Sequence, residues 1–129
     1  MPAGLKMDRL PPLAGLLCYN RNMALRPQDD PVLMRFRSAV AEIYGDRLER
    51  FVLYGSRARG DHRPDSDYDI AVFLRDMPER ATAMTRLAEV ETDILYDSGA
   101  VINALPFPAE AYGERTGFMH ELRQDGLEL

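Results

Sequence analysis

One stretch gathers side chains equipped for chemistry: Gly55-Ser56-Arg57-Ala58-Arg59-Gly60-Asp61-His62-Arg63-Pro64-Asp65-Ser66-Asp67-Tyr68-Asp69-Ile70. Asp67 and Asp69 stand two residues apart at the mouth of an expected strand. Side chains alternate along a strand, so both carboxylates project from one face, about 7 Å apart along the chain. Two carboxylates that close repel, and a hard divalent cation between them resolves the conflict. Mg²⁺ favours a few carboxylate oxygens together with substrate phosphates over a full protein cage. Gly55-Ser56 ends the preceding strand before a short helical turn, exposing backbone N–H groups and a hydroxyl that together cradle phosphate. Gly55 puts no Cβ in the way. Arg57, Arg59 and Arg63 bring planar cations that match phosphate oxygens. Singly, each feature has a plainer reading: a solvated Asp-x-Asp turn, a serine helix cap, exposed arginines. Together they are the inventory for phosphoryl or nucleotidyl transfer from a triphosphate, where metal ions and positioning carry the reaction.

Two adjacent strands must hold these groups. The first is Phe51-Val52-Leu53-Tyr54, an apolar run that ends at Gly55-Ser56. The second runs from Tyr68 to Leu74, with Tyr68 pointing away from the two acids into the core. Before them a helix is expected from Pro31 to Tyr44, capped by Asp29 or Asp30, with Pro31 at its first position and Gly45 as its stop. Leu33, Phe36, Val40 and Ile43 form its apolar stripe. After the turn at Asp76-Met77-Pro78, a helix over 79–96 carries Ala81, Met84, Leu87, Ala88, Glu91, Ile94 and Leu95 at helical spacing. A rival reading turns Thr92 to Tyr96 into a hairpin strand. Ala100 to Leu105 is a third strand, stopped by Pro106 and Pro108, and a last helix carries Phe118, Met119 and Leu122 on one face. The order is helix, strand, strand, helix, strand, helix: an α/β (α+β) domain with a small mixed sheet flanked by helices.

Length and composition bound the rest. A chain of 129 residues fits one compact domain. Residues 1–30, broken by Pro2, Pro11, Pro12 and Pro27, read as a poorly ordered leader, with Met23 as an alternative native start; residues 31–129 are the domain. One cysteine, Cys18, precludes an intrachain disulfide, and with His62 and His120 far apart there is no zinc constellation. His62 beside Asp61 and His120 on the last helix both read as solvated. Ser56 has no His–acid partner in sight, which argues against a serine hydrolase. No apolar run approaches the ~20 residues of a membrane span, and no signal peptide is evident, so a cytoplasmic protein is expected. The net charge of −5 argues against bulk nucleic-acid binding. That average conceals a boundary: residues 1–64 sum to +4 and residues 65–129 to −9, with the sign changing inside the chemical segment.

The pattern Gly55-Ser56-x-Ala58-Arg59-Gly60 followed by Ser66-Asp67-x-Asp69-Ile70, with ten residues between Ser56 and Asp67, resembles the signature of the minimal nucleotidyltransferases of the DNA polymerase β superfamily. The order of elements over roughly 31–126 resembles that family's compact domain. The resemblance implies a nucleotide-binding set of Gly55, Ser56, Arg57, Arg59 and Ser66, with Gly55 and Ser56 on the β- and γ-phosphates and Arg59 either anchoring the loop or touching the triphosphate. It implies that Asp67 and Asp69 are catalytic and ligate Mg²⁺, as one ion or two, with ATP as substrate. The implied reaction moves AMP from ATP to a hydroxyl and releases pyrophosphate. Stand-alone members of this size imply an antitoxin whose partner is a helical HEPN-type protein, adenylylated on a tyrosine.

The sequence departs from the family in one place. The third carboxylate of such sites belongs on the next strand, where Ala100-Val101-Ile102-Asn103-Ala104-Leu105 holds no acid. Asn103 is its polar residue and the candidate substitute, although an amide contributes no charge and is a poor base. Asp93 and Asp97 could substitute only if the chain brings them round; Asp93 is expected to face water, and neither is an expected ligand. Two functional readings follow. One is a Mg²⁺-dependent enzyme acting on a protein hydroxyl; the alternative is a catalytically weak nucleotide-binding antitoxin that neutralises its partner by binding alone. A small-molecule transferase of the aminoglycoside-modifying kind would need a second helical domain to hold its acceptor.

Overall fold

The computed structural model describes residues 26–129. Met23 and the expected leader up to residue 25 lie outside the described residues. Pro27–Asp29 form a single 3-10 turn, and Asp30 starts α1 (Pro31–Tyr44). Asp30 Oδ1 accepts from the N–H groups of Val32 and Leu33 at 2.9 and 3.3 Å, so it, rather than Asp29, caps the helix. Gly45 ends α1 with φ of 57°, a backbone angle that side chains resist. Leu33, Phe36, Val40 and Tyr44 are its buried face; Ile43, expected there, is only partly buried.

Strand β1 (Leu48–Tyr54) leads into the four-residue α2 (Ser56–Arg59) and then a loop to β2 (Tyr68–Leu74). Helix α3 (Arg80–Ser98) crosses over to β3 (Ile102–Pro108). Residues Thr92 to Tyr96 are helical, so the hairpin reading is excluded. A 3-10 segment over 109–113, α4 (Gly117–Asp125) and the two-residue β4 (Leu127–Glu128) complete the chain. The sheet order is β3-β2-β1-β4, with β2 and β3 parallel and the other pairs antiparallel. A mixed sheet flanked by helices was the expectation, and it is what forms.

Alternation along the strands gives the sheet two apolar faces. Phe51, Leu53, Ile70, Val72, Leu74, Ile102 and Ala104 pack under α1 and under Leu87 and Ile94 of α3. Val52, Ala71 and Phe73 pack against Ala111, Met119 and Leu122 on the other side. An aromatic cluster closes this second face: Phe73 stacks on Phe107 with centroids 5.4 Å apart, and Tyr54 meets Phe118 edge-on at 5.3 Å. Helix α3 buries Ala83, Leu87 and Ile94, whereas Ala81, Met84, Ala88 and Leu95 of the expected stripe are exposed.

Pro106 and Pro108 lie inside β3 rather than after it. They share parity with Ala104, and in a parallel pairing residues of one parity aim their backbone groups to the same side. The Ala104 N–H donates to Glu91 Oε2 at 3.1 Å, and Arg80 Nη1 donates to the Pro106 carbonyl at 3.1 Å. The free side of β3 is thus fitted with prolines, which have no N–H to lose there, and with partners from α3.

Candidate active site

The register that builds the sheet also builds the site. Tyr54 of β1 pairs with Asp69 of β2, and Asp69 pairs with Asn103 of β3, so the three sit in one row across the sheet. Tyr68, buried between the acids, points to the opposite face, as alternation requires. Asp67 precedes β2 in the loop, exposed to solvent. Asn103 Nδ2 donates to Asp67 Oδ2 at 2.9 Å, bringing the loop acid to the strand row.

Gly55 packs directly against this row. A Cβ built on it would lie 2.4 Å from Asp69 Oδ2, and its φ of 75° is in the left-handed region. The missing side chain therefore admits the Asp69 carboxylate itself to the turn that starts α2. The turn is wound tightly: the N–H groups of Ala58 and Arg59 both donate to the Gly55 carbonyl at 3.1 Å, and those of Gly60 and Asp61 to the Ser56 carbonyl at 2.9 and 3.2 Å.

Burial raises the pKa of Asp69 above the ordinary aspartate range, and repulsion from Asp67 raises it further; Asn103 and the Arg59 guanidinium pull it back. Tyr54 is raised by burial, then by Asp69 and Glu121. Excess negative charge thus collects at one end of the sheet, partly offset by an amide and one arginine. That is the electrostatic condition under which a divalent cation binds well. Among the described residues no three His, Cys, Asp or Glu side chains converge. The donors present suit a cation that takes two carboxylates and finds its remaining ligands in water and phosphate, as Mg²⁺ does.

The other expected residues fall into two groups. Arg59 is exposed on α2, 3.4 Å from Asp61, and close enough to Asp69 to affect its ionisation. Arg57 and Ser66 have partners inside the loop: Arg57 donates to the Ser66 and Pro64 carbonyls, and Ser66 Oγ accepts from the Arg63 N–H at 2.8 Å. Asp93 is exposed on α3, and Asp97 pairs with Arg35 at 2.7 Å, so neither joins the site. His120 is exposed, whereas His62 is not freely solvated: its Nδ1 is buried with no hydrogen-bond partner among the described residues. The loop folds His62 inward near Asp30 and Tyr68, a long-range placement that its neighbour Asp61 did not betray. Tyr54 was no candidate in the sequence. One step of alternation beyond buried Leu53 puts it on the opposite face from that residue, the face of Asp69.

The mixed sheet thus carries a Gly-Ser turn packed against Asp69. The chain matches the nucleotidyltransferase domain family over residues 33–122 and belongs to that family. Two curated relatives are putative protein adenylyltransferases of Methanocaldococcus jannaschii. One, MJ0141, is 36% identical over 47 residues, which are 36% of this chain and 48% of that protein. The other, MJ0604, is 28% identical over 87 residues, covering 67% of this chain and 81% of that protein. The chain thus spans about half the length of the first and most of the second. Two solved structures share the fold. A toxin–antitoxin with AMP-PNP superposes with a TM-score of 0.52 at 16% identity, over 72% of this chain and 68% of that one. A mutant of the toxin–antitoxin MntA-HpeT superposes with a TM-score of 0.50 at 17% identity over the same shares. No described helix is long and apolar enough to cross a membrane.

Proposed function

We propose that this nucleotidyltransferase transfers AMP from ATP to a hydroxyl, a tyrosine, on a helical HEPN-type partner, with Mg²⁺ as the metal, and so acts as an antitoxin in the cytoplasm. The observation that best supports the reading is the packing of Gly55 against Asp69, with Asp67 joined to the same row through Asn103. The adenylyltransferase relatives support the reaction class and the toxin–antitoxin neighbours support a partner. Residues 31–129 form the transferase unit.

In this reading Gly55 and Ser56 hold the β- and γ-phosphates, with Arg59 neutralising their charge from α2. Asp67 and Asp69 would hold Mg²⁺, which supplies charge stabilisation as pyrophosphate leaves. Asn103 orients Asp67 through its amide. A neutral amide does not accept the proton of the incoming hydroxyl, so the chain holds and aligns the triphosphate more effectively than it activates the acceptor. That specific observation keeps a second reading in view: a nucleotide-binding antitoxin that silences its partner by occupancy alone.

The two separate cleanly. Calorimetry with ATP and Mg²⁺ should show binding to the wild type, weakened at least tenfold in the Asp67→Ala, Asp69→Ala double variant; equal affinity would remove the site. Incubation of the partner with ATP should add the mass of one AMP moiety to a tyrosine peptide. Transfer by wild type supports the enzyme. Binding without transfer, with transfer gained in Asn103→Asp, supports the occupancy reading.

A further inference from the structure

Three arginines crowd the loop between the phosphate turn and the acids, yet they are not equivalent. Arg59 and Arg63 are exposed, whereas Arg57 is half-buried. Its Nε donates to the Ser66 carbonyl at 3.0 Å and its Nη2 to the Pro64 carbonyl at 3.1 Å. The Nε–Nη2 edge is one of the two-pronged faces with which a guanidinium grips a phosphate or carboxylate, and here backbone already fills it. The guanidinium plane lies over the Tyr68 ring, with Cζ 3.8 Å from the centroid. Tyr68 is itself buried, and its hydroxyl donates to Asp30 Oδ2 at 2.8 Å, the carboxylate whose other oxygen caps α1.

We infer that Arg57 is a positioning residue that ties the phosphate turn to the loop carrying Asp67, and is not a ligand of the nucleotide. The inference rests on the functional reading above for what is being positioned. The two backbone carbonyls, at 64 and 66, lie three residues and one residue before Asp67. By holding them, Arg57 fixes the distance between α2, where the phosphates bind, and the carboxylates, where the cation binds. Tyr68 and Asp30 extend the same line to the start of α1. The Asp67 side chain is then held from the opposite side by Asn103.

The chemistry predicts an asymmetry between charge and shape. Lysine keeps the charge of Arg57 but has no planar fork for two carbonyls and no flat face for Tyr68. Loss of a brace should loosen the loop of the ligand-free protein, whereas loss of a phosphate ligand should leave that loop as it is. Hydrogen exchange on the ligand-free protein tests this without any nucleotide. In Arg57→Lys the amides of Ser66 and Tyr68, bonded to the Arg63 and Val101 carbonyls, should exchange at least tenfold faster, with α1 and α3 unchanged and Arg63→Lys behaving as wild type. Unchanged exchange in Arg57→Lys would overturn the proposal.

Titration of ATP with and without Mg²⁺ gives the second arm. Arg57→Lys should keep metal-free affinity within about twofold and lose about 10- to 100-fold of the enhancement that Mg²⁺ brings, since sub-ångström alignment is what it disturbs. Equal loss with and without Mg²⁺ would overturn the proposal and make Arg57 a phosphate ligand. Should Arg57→Lys fail to fold, Arg57→Gln, which keeps a planar donor for one carbonyl, takes its place with the same expectations at smaller amplitude. Absence of ATP binding by the wild type would defeat the functional reading alone, because the exchange arm judges the brace independently.

Discussion

Gly55 is under two constraints at once. Its φ of 75° disfavours any side chain, and a methyl group there would press on Asp69 Oδ2 at 2.4 Å. Gly55→Ala is therefore expected to destabilise the fold by about 1–3 kcal/mol, as strained backbone positions do, and to weaken Mg²⁺-dependent ATP binding further than the fold. Urea midpoints and calorimetry on the same variant measure both; an unchanged midpoint would refute the close packing. At this scale much was legible in the sequence. Asp69 takes the face that strand alternation gives it, and alternation is local; Asp67 stands in the loop before β2 and meets the strand row through Asn103. Asn103 was visible as a polar residue on the third strand, but its bond to Asp67 depends on the parallel register of β2 and β3, which no local pattern encodes. Arg57 shows the converse: its residue type advertises phosphate, and its carbonyl partners are seen only once the loop has folded.

The elements β2 and α4 were readable because their apolar residues and boundary signals agree, and β2 came out over 68–74 as expected. Strand β3 was not, because proline stops a strand only where its missing N–H is needed. On the free side of an edge strand it is not needed, and β3 runs on to Pro108. The exposed half of α3 was misjudged for a related reason: helical spacing marks residues that share a face without saying whether another element covers it. Glu91 belongs to this scale, since it joins α3 to β3. Burial pushes its carboxyl up to about 7, against the pull of the Ala104 N–H. The folded chain holds that proton more tightly than the unfolded one. Its contribution to stability is therefore full below about pH 4.5 and is lost as the pH rises through about 7. Glu91→Gln keeps a carbonyl for Ala104 and cannot ionise. It should be more stable than wild type by about 1 kcal/mol above pH 8, after allowance for solvent screening of a half-exposed group, and equal to it near pH 4. Thermal melts at the two pH values check this; equal melting at both would refute it.

The described residues are held by two unequal cores on one sheet. The face under α1 and α3 contains Phe36, with no exposed surface, in a tilted contact with Phe51 at 6.0 Å. The face under α4 is smaller and partly open, with Tyr54 and Phe118 half-buried. Phe36→Ala should cost about 3–5 kcal/mol, a large share of the stability of a domain this size, and Phe118→Ala less than half of that. Denaturant unfolding of both variants tests the ranking, and equal costs would contradict it. The charge boundary in the sequence also finds its place at this scale. Strands β1 and β2 are antiparallel neighbours, so the end of the basic half and the start of the acidic half meet at one end of the sheet. The shielding of β3 bears on the free protein in a crowded solution. A second copy approaching that edge finds no row of vacant amides to align on, because Pro106, Pro108 and the Glu91-bonded Ala104 remove them. Recruitment of one sheet by another, the first step toward fibrous aggregates, is blocked along that side. A protein that docks there must do so by matching side chains and cannot simply lengthen the sheet.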